Sequence, residues 1–129
     1  MITLDGQDRT LIATALDTYI AYCADEASGT GDLADVALEE LRPIRAWWGR
    51  VITGTASETE SDPELRAALH EPKIKVLNHQ VRAWIHTALD FYTRYCRGQA
   101  RIGGRRDDGV AIAARSLDDL WYAEFFGPR

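Results

Sequence analysis

Residues 12–23 read IATALDTYIAYC and residues 85–96 read IHTALDFYTRYC, so that eight of twelve positions are identical at a constant offset of 73. Extending the alignment both ways without a gap pairs residues 1–56 with 74–129 and gives 17 identities in 56 pairs. Composition alone gives roughly three or four. Within each stretch Ile12, Ala15, Leu16, Tyr19, Tyr22 and Cys23, and their counterparts Ile85, Ala88, Leu89, Tyr92, Tyr95 and Cys96, recur every three or four residues. That is the stripe of an amphipathic α-helix. A copy of this size buries too little surface to be stable alone, so the two are expected to share one core, as a fused homodimer would.

Working outward, the first helix is expected over about 8–27, and Ser28, Gly29, Thr30 and Gly31 form a break. Asp32 or Asp35 is placed to cap a second helix that buries Leu38, Leu41, Ile44, Trp48, Val51 and Ile52, with Pro43 kinking or dividing it. Residues 57–73 are expected to be a linker holding a short helix from Pro63 to His70, started by Asp62 and Pro63. The third helix is expected over about 73–97. A fourth, near 108–125, would turn Val110, Ala113, Ala114, Leu117, Leu120 and Trp121 inward. No segment alternates as a strand. The expectation is an all-α single domain over 1–129: two tandem antiparallel helical hairpins in a four-helix assembly with a short connecting helix.

Composition narrows the function classes. The net charge of -5 argues against a basic nucleic-acid-binding domain. It conceals a division: residues 1–64 carry 13 acidic and 4 basic residues, whereas 65–129 carry 7 and 11. Opposed charge favours pairing of the halves within a chain or self-association between chains. No stretch approaches a membrane span, and the N-terminus has neither basic start nor apolar signal core, so a cytoplasmic location is expected. Cys23 and Cys96 lie on the apolar stripes and read as buried thiols rather than a disulfide or metal pair.

Three groups of residues carry possible chemistry. The segment 97–106 holds Arg97, Arg101, Arg105 and Arg106 with Gly103 and Gly104. Guanidinium forks and glycine-exposed backbone N–H groups suit a phosphorylated small molecule, although the spacing matches no phosphate-loop motif and also fits a solvated basic loop. Along the third helix His79, Arg82, His86, Asp90 and Arg97 form a polar strip, read as structural ion pairing rather than a metal site because Gly6 and Ala13 replace the histidines in the first copy. Arg42 is expected opposite Asp17, and Arg115 opposite Asp90. The third group is aromatic: Trp48 and Trp121 belong to the core, while Trp47 and Trp84 at the stripe edges, with Phe125 and Phe126, either form a partner-binding patch or widen the buried face.

No nucleophile stands with an evident base and no carboxylate–histidine pattern of a di-iron bundle occurs, so neither catalysis nor a cofactor is expected. The stretch from Ala88 to Gln99, Ala-Leu-Asp-Phe-Tyr-Thr-Arg-Tyr-Cys-Arg-Gly-Gln, resembles an Ala-Leu-Asp-x-Tyr-x-Arg-x-x-x-Gly-Gln segment of small uncharacterised helical proteins of phages and bacteria. The resemblance covers a dozen residues, implies a phage or prophage origin and brings no activity. The expected function is non-enzymatic binding, as a phage-type accessory protein docking on a host protein. The alternative is sequestration of a phosphorylated small molecule such as a nucleotide signal.

Overall fold

The first apolar stripe winds into α1, Gly6–Thr30, started by a reciprocal cap. Oδ1 of Asp5 accepts from the backbone N–H of Asp8 at 2.8 Å, and Oδ2 of Asp8 accepts from the N–H of Asp5 at 3.3 Å. Two of the helix's orphan donors are thereby satisfied. A computed structural model describes residues 4–30, 32–57, 63, 65, 79–98 and 107–127. These residues form four helices and no strand: α1, α2 (Asp32–Ile52), α3 (His79–Cys96) and α4 (Asp108–Phe126). Pro63 and Leu65 are helical, while the rest of the expected connecting helix lies outside the described residues.

The helices pack as α1 on α2, α3 on α4, and α1 on α3. The first helix of each hairpin is thus central, and it alone has two helical neighbours in this set. Ile12 and Leu16 of α1, Leu41 and Ile44 of α2, and Ile85 and Leu89 of α3 are fully buried. Each such side chain contributes about 1.5–3 kcal/mol relative to exposure. The indole N–H of Trp48 donates to the carbonyl of Arg9 at 2.8 Å, and that of Trp121 to the carbonyl of Arg82 at 3.0 Å, each contact spanning 39 positions. Each ties an outer helix to the first turns of its central partner.

Several expectations need correction. α1 continues to Thr30, through the residues read as a break. Pro43 lies inside α2 and does not divide it. α4 is capped by Asp107, whose Oδ1 accepts from the N–H of Val110 at 3.1 Å. Ile52, Ala113 and Leu120 are exposed, Leu120 at 61%. α4 packs chiefly on α3, so its buried face narrows to Ala111, Ala114, Leu117, Asp118 and Trp121. Trp47 is fully buried and so widens the core: its ring meets Trp48 edge-on at 5.3 Å, and Leu65 joins the same apolar cluster.

The expected ion pairs also change partners. Asp17 meets Arg45 rather than Arg42, with Nε to Oδ1 at 2.8 Å, because α2 crosses α1 nearly one turn further along. Arg115 binds Asp119 at 3.1 Å and Asp90 binds Arg94 at 3.5 Å, both within one helix. Two glycines close helices in the left-handed region, Gly54 at φ 83° and Gly98 at φ 73°. After α2 the N–H of Thr55 reaches the carbonyl of Arg50, and that of Gly54 the carbonyl of Val51. This is a Schellman ending, which needs a residue without Cβ at its turn.

Candidate functional site

An open cleft of about 770 Å³ lies where the first turns of α1 meet α3 and the start of α4. Leu11, Thr14, Tyr92 and Val110 form its walls, and Asp5 is the charged residue among its described lining. Tyr92 stacks its ring on Tyr95 at 6.1 Å. Its hydroxyl bonds the Cys96 thiol, and burial, with that thiol and the nearby charge of Asp107 adding to it, pushes its pKa up to about 12. The ring therefore stays neutral and presents an apolar face.

The positions 73 residues away form a different environment. Counterparts of Leu11, Gln7, Tyr92 and Val110 are Trp84, Gln80, Tyr19 and Ala37. There Glu40 of α2 accepts from Nε2 of Gln80 and from the indole N–H of Trp84, both at 2.5 Å, and the indole packs 6.1 Å from the ring of Tyr19. The carboxylate clasps α2 to α3, and the indole occupies the space beside the tyrosine. On the cleft side Ala113 stands where Glu40 would, and Leu11 where Trp84 would. Of this pair Leu11 lines the cleft. Comparing the two halves position by position is the sequence signal for this cleft, and it requires knowing that Glu40 and Trp84 touch.

A second asymmetric feature lies between α3 and α4. Asp118 is fully buried, and its Oδ1 lies 2.6 Å from Nδ1 of His86. The imidazole packs edge-on to Tyr122 at 5.0 Å and near Phe126 at 6.1 Å. The same positions in the first hairpin carry Ala13 and Arg45, the latter paired with Asp17 at the surface. A His–Asp pair enclosed in this way fixes helix against helix. Sequence reasoning singled out His86 but missed Asp118, since an aspartate on a helix reads as solvent-facing.

The remaining predicted residues do not assemble into one patch. Trp84 is engaged by Glu40 and Tyr19, whereas Phe125 lies 4.5 Å from Trp121 under the Arg82 guanidinium, and Phe126 packs on Tyr122 at 5.2 Å. Arg82 is lowered from its usual value by burial. Arg97 is exposed just beyond α3. Arg101, Gly103, Gly104, Arg105 and Arg106 lie outside the described residues, as does the side chain of His79. The ends of that arginine segment are nevertheless pinned, because the N–H of Asp107 donates to the carbonyl of Cys96 at 2.5 Å.

Among the described residues no group of three or more His, Cys, Asp or Glu is arranged to hold a metal ion, and no helix is long and apolar enough to cross a membrane. Cys23 and Cys96 are buried free thiols, and burial pushes Cys96 up from its usual value, away from nucleophilic character. Comparison with protein-family models, curated proteins and solved structures finds no match to this chain.

Proposed function

We propose that the chain is a duplicated helical hairpin, with copies over 1–56 and 74–129, fused into a single non-catalytic binding domain that docks on another protein through the cleft over Tyr92. The duplication is supported by the matched bonds of Trp48 to Arg9 and Trp121 to Arg82. The observation that carries the docking reading is the cleft itself: largely apolar walls that include Tyr92, with Asp5 as the carboxylate of the described lining, on central helices packed against α2 and α4. Such a surface gives a partner side chain a preformed place to bury itself. Trp47 leaves the list of docking residues because it is buried, and Trp84 serves the clasp. The Ala88 to Gln99 resemblance implies a phage or prophage origin, and docking on a host protein is the reading of the aromatic residues and the charge asymmetry in that setting.

The test is site-specific capture. A photoreactive residue at Thr14, in the cleft wall, should trap one defined protein, and the same group at exposed Ser116 on α4 should not. Equal products from both positions, or none from Thr14, would remove the docking reading.

A second reading is favoured by the bond between Asp107 and Cys96, which holds the two described ends of the arginine segment together. In it Tyr92 stacks a base while Arg97, Arg101, Arg105 and Arg106 bind phosphate. A panel of linear and cyclic nucleotides would then raise the melting temperature, as any ligand selective for the folded state does. No shift across the panel eliminates this reading.

A further inference from the structure

We infer that the cleft receives an aromatic side chain, tryptophan by fit, from a partner segment that carries a basic residue beside it. The inference rests on the docking reading and adds what the partner must present. Its warrant is the matching place in the other hairpin, where the chain supplies its own occupant. Beside Tyr19 that occupant is the indole of Trp84, its N–H held by Glu40. Beside Tyr92 the corresponding residue is Leu11, which is shorter by most of an indole, and the carboxylate-bearing position is Ala113. An aromatic ring brought from outside would stand to Tyr92 as Trp84 stands to Tyr19, in the offset or tilted geometry such rings favour.

Charge selects the flank of that segment. The charged group in the described lining is Asp5, with Asp8 one turn further along α1, and Asp107 near Tyr92. An incoming lysine or arginine meets these carboxylates, while an acidic neighbour is repelled. Asp5 is also the cap of α1, so its carboxylate is held in place rather than swinging freely.

The experiment uses the isotopically labelled full chain and three blocked dipeptides, Trp-Lys, Trp-Glu and Leu-Lys. Trp-Lys at millimolar concentration should shift the amide resonances of Leu11, Thr14 and Val110. It should bind roughly threefold or more tighter than Trp-Glu at low salt, a preference that shrinks as salt rises. Leu-Lys should bind more weakly than Trp-Lys. The double substitution Leu11→Trp with Ala113→Glu rebuilds the clasp on this side, so it should abolish binding while melting no lower than the parent. Asp5→Asn keeps a capping side chain and, by removing the carboxylate that lines the cleft, should narrow the preference for Trp-Lys over Trp-Glu. The inference is overturned by absent shifts at those residues, by equal or reversed preference between Trp-Lys and Trp-Glu, or by unchanged binding in the rebuilt variant. If the dipeptides fail while a photoreactive group at Thr14 still traps its protein, this inference falls and the docking reading stands. Failure of both removes both.

Discussion

Converting the second hairpin's buried pair into the first hairpin's surface pair should be cheaper than either single change along the way. His86→Ala leaves the fully buried carboxylate of Asp118 without its imidazole 2.6 Å away, which costs about 2–4 kcal/mol. Asp118→Arg alone forces a guanidinium beside that imidazole in a site shaped for a carboxylate, at about 3–5 kcal/mol. The double variant reproduces the set Ala13, Asp17 and Arg45, with Asp90 standing where Asp17 does. In the first hairpin that arginine reaches its aspartate at 2.8 Å with both side chains partly in water, 30% and 59% exposed. The pair itself is worth at most about 1 kcal/mol there, and the gain comes from letting the cation escape to solvent. The double variant should therefore be more stable than Asp118→Arg alone by about 2 kcal/mol, or about 7 °C in melting temperature for a chain of this length. Urea denaturation at constant slope measures it. If the double variant shows only the sum of the single losses, the two helix pairs do not share a geometry and the reasoning fails.

The adjacent tryptophans of α2 should respond differently to loss of the indole nitrogen. Trp48→Phe removes a hydrogen bond to Arg9, whereas the indole N–H of Trp47 is buried without a partner, so Trp47→Phe should cost about 1 kcal/mol less in equilibrium unfolding. Alkali should weaken the fold in a defined window. Tyr19 and Tyr92 are both pushed from 10.0 to about 12, first by burial, so the folded state retains protons that the unfolded state has lost. Their contribution is fully present below pH 10 and is lost as pH rises through 12. Denaturation midpoints across that window should fall less steeply in a Tyr19→Phe, Tyr92→Phe double variant. In the native protein Cys23 and Cys96 should react with a thiol reagent far more slowly than after unfolding, since both are buried.

The central helices were legible because their apolar stripes repeat at helical spacing, and the ends of α2 and α3 because Gly54 and Gly98 supply the positive φ that a helix-closing turn favours. The outer faces were less so. Leu120 and Trp47 occupy matching positions, yet one is exposed and the other fully buried. What differs is tertiary: Leu65 joins the cluster around α2, and α4 packs chiefly on α3. Periodicity reports which residues share a side and is silent on how many neighbours that side has. The cleft was hidden for a related reason. Leu11 against Trp84 and Ala113 against Glu40 look like unrelated substitutions until Glu40 and Trp84 are seen to touch.

The bond from the N–H of Asp107 to the carbonyl of Cys96 has a practical corollary. The flanks of residues 99–106 are tied to each other by a backbone bond that uses no atom of the span between them. Doubling that span costs only about 0.6 kcal/mol in closure entropy. The position is thus a natural graft point, where a foreign peptide, tag or reporter can be carried beside Tyr92 while the two helices remain docked.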